Sequence, residues 1–202
     1  MPDTSVSPTR SAYLELKDER QLVREGFEFL DEKRMILAQE MLKRLQAYEA
    51  AMATYRERHE EAAAALAVAT GRHGLDGLGI YPVARMEEAQ AVLRPLRFLG
   101  VHLVDGHLDT GPAREHRPAL NPSPEAERCR EAFEALVPLG VEIAVMRASL
   151  LRLIREYVRT ERRARALENV ILPEIEGNLR FMDEQLEAMD QEEAVRVRNA
   201  AR

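Results

Sequence analysis

Between Arg10 and Thr70 the chain has no proline and a single glycine, Gly26. A helix over that stretch is several times longer than the helices of ordinary globular domains. Its apolar residues, among them Leu16, Val23, Phe27, Leu30, Leu37, Met41, Leu45, Tyr48, Met52, Tyr55 and Leu66, fall mostly three or four apart or at sums of these. That spacing is a coiled-coil stripe. Arg20 and Arg34 interrupt it. Ser7-Pro8-Thr9, just ahead, supplies turn and capping chemistry.

A long amphipathic helix cannot bury its stripe alone. The end of the chain carries a second one, through Phe133, Leu136, Ile143, Leu150, Ile154, Tyr157, Ala164, Leu167, Ile171, Ile175, Leu179, Met182, Leu186 and Met189. Leu167, Ile171, Ile175 and Leu179 advance in fours, a local drift from the strict heptad. Pro138 and Pro173 lie inside this stretch, each costing one intrahelical hydrogen bond and crowding the carbonyl four residues back. Both read as bends, because the stripe continues past them, and Pro138 reads equally as a helix boundary.

Residues 71–122 differ in character, with most of the glycines and prolines and with His73, His102, His107 and His116. Gly71 to Gly79 reads as the exit from the first helix. Phe98 to Val104 is strand-like, and Asp105-Gly106 is a hairpin turn signal. The fold class expected is all-α: two long helices folded back as an antiparallel coiled coil, with a short mixed insert that includes a hairpin. The divisions are residues 1–9 as a lead, 10–70 as the first helix, 71–122 as the insert, and 123–202 as the second helix and tail. The insert is expected at the far end, with few contacts to the middle of the coil.

Composition supports long helices over a compact core. Of 202 residues, 32% are charged and only 5% aromatic, with no Trp. The 29 Lys+Arg against 35 Asp+Glu give a net charge of −6, which argues against nucleic acid as a partner. One cysteine, Cys129, excludes an internal disulfide framework and a cysteine-rich zinc site. No run of about 18 uncharged apolar residues is present, so no direct membrane insertion is expected. The first residues lack the pattern of a secretory signal.

Chemistry is sparse. The glycines of 71–79 lack the Gly-Lys-Ser/Thr ending of a phosphate loop and follow a helix rather than a strand. His102 and His107 bracket Asp105, but their spacing matches no metal motif, and they read as solvated loop residues. Cys129 reads as a half-buried helix thiol. No catalytic residue, cofactor or metal ligand is assigned. The informative feature is a ridge of Arg152, Arg155, Arg159, Arg162 and Arg163, stepping by threes and fours roughly opposite the stripe and diluted by Glu156 and Glu161. It reads as a solvated face or as a contact stripe for an acidic partner.

Two sets of residues carry a resemblance. The first is Ser7-Pro8-Thr9-Arg10, then Gly26-x-x-x-Leu30-x-x-Lys33-Arg34-x-x-Leu37. The second is Arg162-Arg163-Ala164-Arg165-Ala166-Leu167-Glu168, then Ile171-Leu172-Pro173-x-Ile175, with Phe181 and Leu186 beyond. Together they resemble the D subunit of the V-type and A-type rotary ATPases, over roughly two thirds of the chain. The first helix departs from the family pattern in its acidity, at Asp18, Glu19, Glu25, Glu28, Asp31 and Glu32, and Met35 stands where an acidic residue is common. The resemblance implies a non-catalytic central-stalk rotor that couples ATP hydrolysis or synthesis to ion transport. Its implied partners are the A/B catalytic hexamer, the F subunit of the stalk and the membrane-ring adaptor subunit (C/d type), at the cytoplasmic face of the membrane. The contact residues it implies are Arg10, Lys33, Arg34, Arg159, Arg162 and Arg163. The main rival is a freestanding antiparallel coiled-coil holdase or adaptor of the prefoldin kind; an enzyme with its site in the insert is weaker, because the insert offers little pocket.

Overall fold

The computed structural model describes residues 8–83, 86, 88–111, 119 and 122–201. Ser7 and His116 lie outside the described residues. The elements are a helix α1 (Arg10–Gly79), strands β1 (Gln90–Phe98) and β2 (Val101–Asp109), a helix α2 (Pro124–Ala166), a π-helical turn (Leu167–Ile171) and a helix α3 (Leu172–Ala200). The chain is thus two long helical stretches with a two-stranded antiparallel hairpin between them. It divides into two compact units, Met1–Ile36 with Tyr157–Arg202, and Leu37–Glu156.

Helix α1 starts where its chemistry says it should. Thr9 Oγ1 accepts from the Ala12 N–H at 3.2 Å, satisfying one of the orphan donors of a helix start. Its inward positions then alternate strictly, four and three apart, through Leu16, Arg20, Val23, Phe27, Leu30, Arg34, Leu37, Met41, Arg44 and Tyr48. The same register reaches Ala62 and Ala69, both fully buried, while Leu45 and Leu66 are exposed. A reading that weighted large apolar residues therefore missed two alanines and took in two leucines that face outward. Arg34 and Arg44 are half-buried in the seam register and are paired to Asp31 at 2.5 Å and Glu40 at 2.6 Å. The helix continues past Thr70 to Gly79, interrupted at Gly74, whose φ of 70° and ψ of 169° only glycine adopts readily.

The second helical stretch shows where the drift in fours goes. Leu153, Thr160 and Ala164 are buried, and so are Ile175, Leu179 and Met182. Tyr157 and Leu167 are half-buried in the same register. A heptad carried on from Leu167 would bury Glu174, yet Glu174 is exposed and the buried residue is Ile175, one later. The π-helical turn absorbs that extra residue, with the Leu172 N–H bonding to the Leu167 carbonyl five residues back. Pro173, which has no N–H to give, sits immediately after it in the first turn of α3. Helix α2 runs through Pro138 without a boundary.

Three expectations are corrected. Ile154 is 41% exposed, and its neighbour Leu153, which the stripe had omitted, is fully buried. The hairpin turn is Leu99-Gly100, not Asp105-Gly106, which lie within β2. Leu99 and Gly100 have φ of 46° and 83°, the two positive values that a two-residue type I′ turn requires. Gly106 serves another purpose: a Cβ there would stand 2.5 Å from the Val92 carbonyl oxygen, so only glycine permits that approach of the strands.

The third correction is the insert's isolation. The hairpin is bonded to α2 well along its length. Ser149 Oγ accepts from the Val104 N–H at 3.0 Å and donates to the Val104 carbonyl at 2.5 Å. Arg152 donates to the His102 carbonyl at 2.9 Å. Both polar groups of Val104 therefore point away from β1. Its ladder partner Pro95 then holds a position where an N–H would not join the ladder, which is how proline is tolerated mid-strand.

Candidate partner-contact surfaces

Within each unit the helices contact in opposite chain directions. Arg10 pairs with Asp190 through two bonds of 3.0 and 2.9 Å, Arg24 lies 3.8 Å from Glu176, and Leu167 Cδ1 lies 3.7 Å from where a Gly26 Cβ would stand. In the other unit, Tyr55 packs at Gly140 and Arg72 pairs with Glu125.

The expected contact residues divide on this geometry. Arg10 is exposed but tied to Asp190, and Arg34 is tied to Asp31. Lys33 is half-buried with an interaction of its own. Arg159, Arg162 and Arg163 are exposed and form no ion pair with a described residue. Glu161, which diluted the ridge in sequence, is paired to Arg165 at 2.7 Å and so does not neutralise them. Arg152 leaves the ridge for the hairpin. The three free guanidiniums sit on the turn whose inner face buries Thr160 and Ala164.

The loop end is closed by a polar knot. Ser123 caps α2, its Oγ accepting from the Ala126 N–H at 3.4 Å and donating to Glu125 Oε2 at 3.0 Å. His73 Nε2 lies 2.6 Å from the same oxygen, within hydrogen-bond distance. The Tyr81 hydroxyl accepts from the Ser123 N–H at 3.0 Å and donates to its carbonyl at 3.3 Å. Glu125 is held below the usual carboxylate range, first by its own backbone N–H, then by Ser123 and by the Arg72 charge. These serine, histidine and glutamate side chains form a helix cap that closes the first turn of α2.

The remaining chemical candidates separate. His102 and His107 are five residues apart on one strand, so their side chains leave opposite faces of the ribbon. Among the described residues no group of three His, Cys, Asp or Glu is arranged to hold a metal. Cys129 is buried rather than half-buried and lines a cavity of about 320 Å³ with Leu66, Tyr81, Pro82 and Phe133. Burial pushes its thiol pKa up, the opposite of what a nucleophile needs. Among the described residues no helix is long and apolar enough to cross a membrane.

Known proteins are similar in sequence over nearly the whole chain. The D subunit of the A-type ATP synthase of Thermococcus gammatolerans is 29% identical over 202 residues, covering 96% of this chain and 92% of its own. Its counterpart from Methanoregula boonei is 28% identical, covering 96% and 94%. A D subunit of the V-type ATP synthase of Treponema pallidum is 28% identical, covering 94% and 90%. The family of ATP synthase D subunits matches residues 12–202, so the chain belongs to the ATP synthase D subunit family.

Proposed function

We propose that the chain is a non-catalytic central-stalk subunit of an A-type or V-type rotary ATPase, coupling ATP turnover in an A/B hexamer to ion transport. The observation that carries this is the family match through both long helices and the insert. The geometry supports it. A shaft needs stiffness, which paired helices in heptad register supply, and a one-sided surface by which a hexamer reads its orientation. The exposed, unpaired trio Arg159, Arg162 and Arg163 is such a surface. Its partner is acidic, on the inner wall of the hexamer. The F subunit of the stalk and a membrane-ring adaptor complete the partners, at the cytoplasmic face of the membrane, and family membership favours this reading over a freestanding holdase.

Replacing Arg159, Arg162 and Arg163 by Glu together tests the contact. Single exposed ion pairs contribute about 0.2–1 kcal/mol, so one change should matter little, whereas reversing three juxtaposes like charges. Reconstituted enzyme with the triple variant should show slowed ATP-driven ion pumping, with helix content and assembly unchanged. Undiminished pumping would reject the contact role.

A further inference from the structure

We propose that the outer face of α1 from Asp18 to Ile36 is a docking surface for a basic amphipathic helix of another protein. Leu22, Phe29 and Ile36 stand seven residues apart and are 69%, 66% and 36% exposed. Asp18, Glu25 and Glu32 repeat with the same period, are all exposed, and each lies three or four residues from a member of the apolar row. The two rows are therefore neighbours on the helix surface. The seam of this segment runs through Arg20, Val23, Phe27, Leu30 and Arg34. At 3.5 residues per turn the apolar row lies about 130° away from it, so this chain's own coil does not cover it.

Single exposed leucines need no explanation. Three large apolar side chains in heptad register, beside three carboxylates in the same register, form a stripe with a selective edge. The carboxylates have no cation of their own: Glu25 accepts from neutral Gln21 Nε2 at 2.9 Å, and none of the three forms a salt bridge with a described residue. The occupant that satisfies both rows is a helix whose apolar stripe is flanked by Lys or Arg. An anionic membrane surface would be repelled by the acidic row. A second copy of this face would set carboxylate against carboxylate. The acidity that sets this helix apart from the family pattern thus has a use. This surface is separate from the arginine trio, opposite in charge, and does not depend on the rotor reading.

The test uses the full chain and three synthetic three-heptad helical peptides: a Leu row flanked by Lys, the same row flanked by Glu, and the Lys-flanked peptide with Ser in place of Leu. Fluorescence anisotropy at low salt should show the Lys–Leu peptide binding at least about tenfold tighter than either other peptide. The combined variant Asp18→Asn, Glu25→Gln, Glu32→Gln should lose about tenfold at low salt and little near 1 M salt, where charges are screened beyond about 3 Å. Phe29→Ser should lose affinity at both salts. Photo-cross-linking from position 29 in the assembled complex should capture a Lys/Arg-rich amphipathic helix. Equal binding of the three peptides, indifference to these substitutions, or a cross-link to an acidic segment or to another copy of the chain would each overturn the proposal.

Discussion

In the unit formed by Met1–Ile36 and Tyr157–Arg202, the ion pairs between helices are exposed, as at Arg10–Asp190 and Arg24–Glu176. Apolar register decides the pairing there, and the π-helical turn absorbs a one-residue slip. In the unit Leu37–Glu156, directional bonds fix the geometry: Ser149 to both polar groups of Val104, Arg152 to His102, and the Ser123 knot with His73 and Tyr81. An apolar seam tolerates a shift that a backbone bulge can take up, because burial is non-directional. A buried hydrogen bond does not, because it has one geometry and an unmet partner is costly. The difference also decides where partner surfaces can lie. The second unit uses Ser149, Arg152, Ser123, His73 and Tyr81 in internal bonds, whereas in the first Arg159, Arg162, Arg163, Asp18, Glu25 and Glu32 form no ion pair with a described residue.

The sharpest way to break this comparison is within α2. Leu153→Ala should destabilise by about 2–5 kcal/mol, the usual range for a fully buried leucine, whereas Ile154→Ala should cost less than about 1 kcal/mol. Chemical denaturation of both variants measures this, and equal losses would return Ile154 to the seam. Glycines in the two units should respond in opposite directions. Gly106→Ala puts a Cβ against the Val92 carbonyl and should cost about 1–3 kcal/mol, with faster amide exchange across the hairpin. Gly26→Ala meets Leu167 only at ordinary contact distance, so the helix should gain about 0.5–1 kcal/mol. A loss at Gly26 would show that the π turn needs the space.

The smallest effect belongs to acid. The folded-state pKa of Glu125 is depressed, so its contribution is present above the ordinary carboxylate range and is lost as pH falls through the depressed value. Stability measured against pH should fall on the acid side more steeply for the natural chain than for Glu125→Gln. Parallel curves would remove the knot's electrostatic part and leave only its neutral hydrogen bonds.

Heptad spacing was enough to reveal two long helices, the stripe between them and even the irregularity at Leu167 to Leu179, because helix periodicity is a local property of the chain. The family residues were legible for the same reason, since they lie in order along those helices. The hairpin was legible as a tendency, but its turn was not. Asp105-Gly106 is the stronger local signal, yet the register that buries Val101 and Leu103 and bonds Val104 to Ser149 places the turn at Leu99-Gly100. Likewise, Leu153 and Ile154 are interchangeable by composition, and only packing chose between them. So too with charge: sequence alone showed a ridge of arginines and a run of acids, while the structure decided which were already paired. Local spacing sets what a helix face offers, and the contacts made elsewhere in the chain determine what remains for a partner.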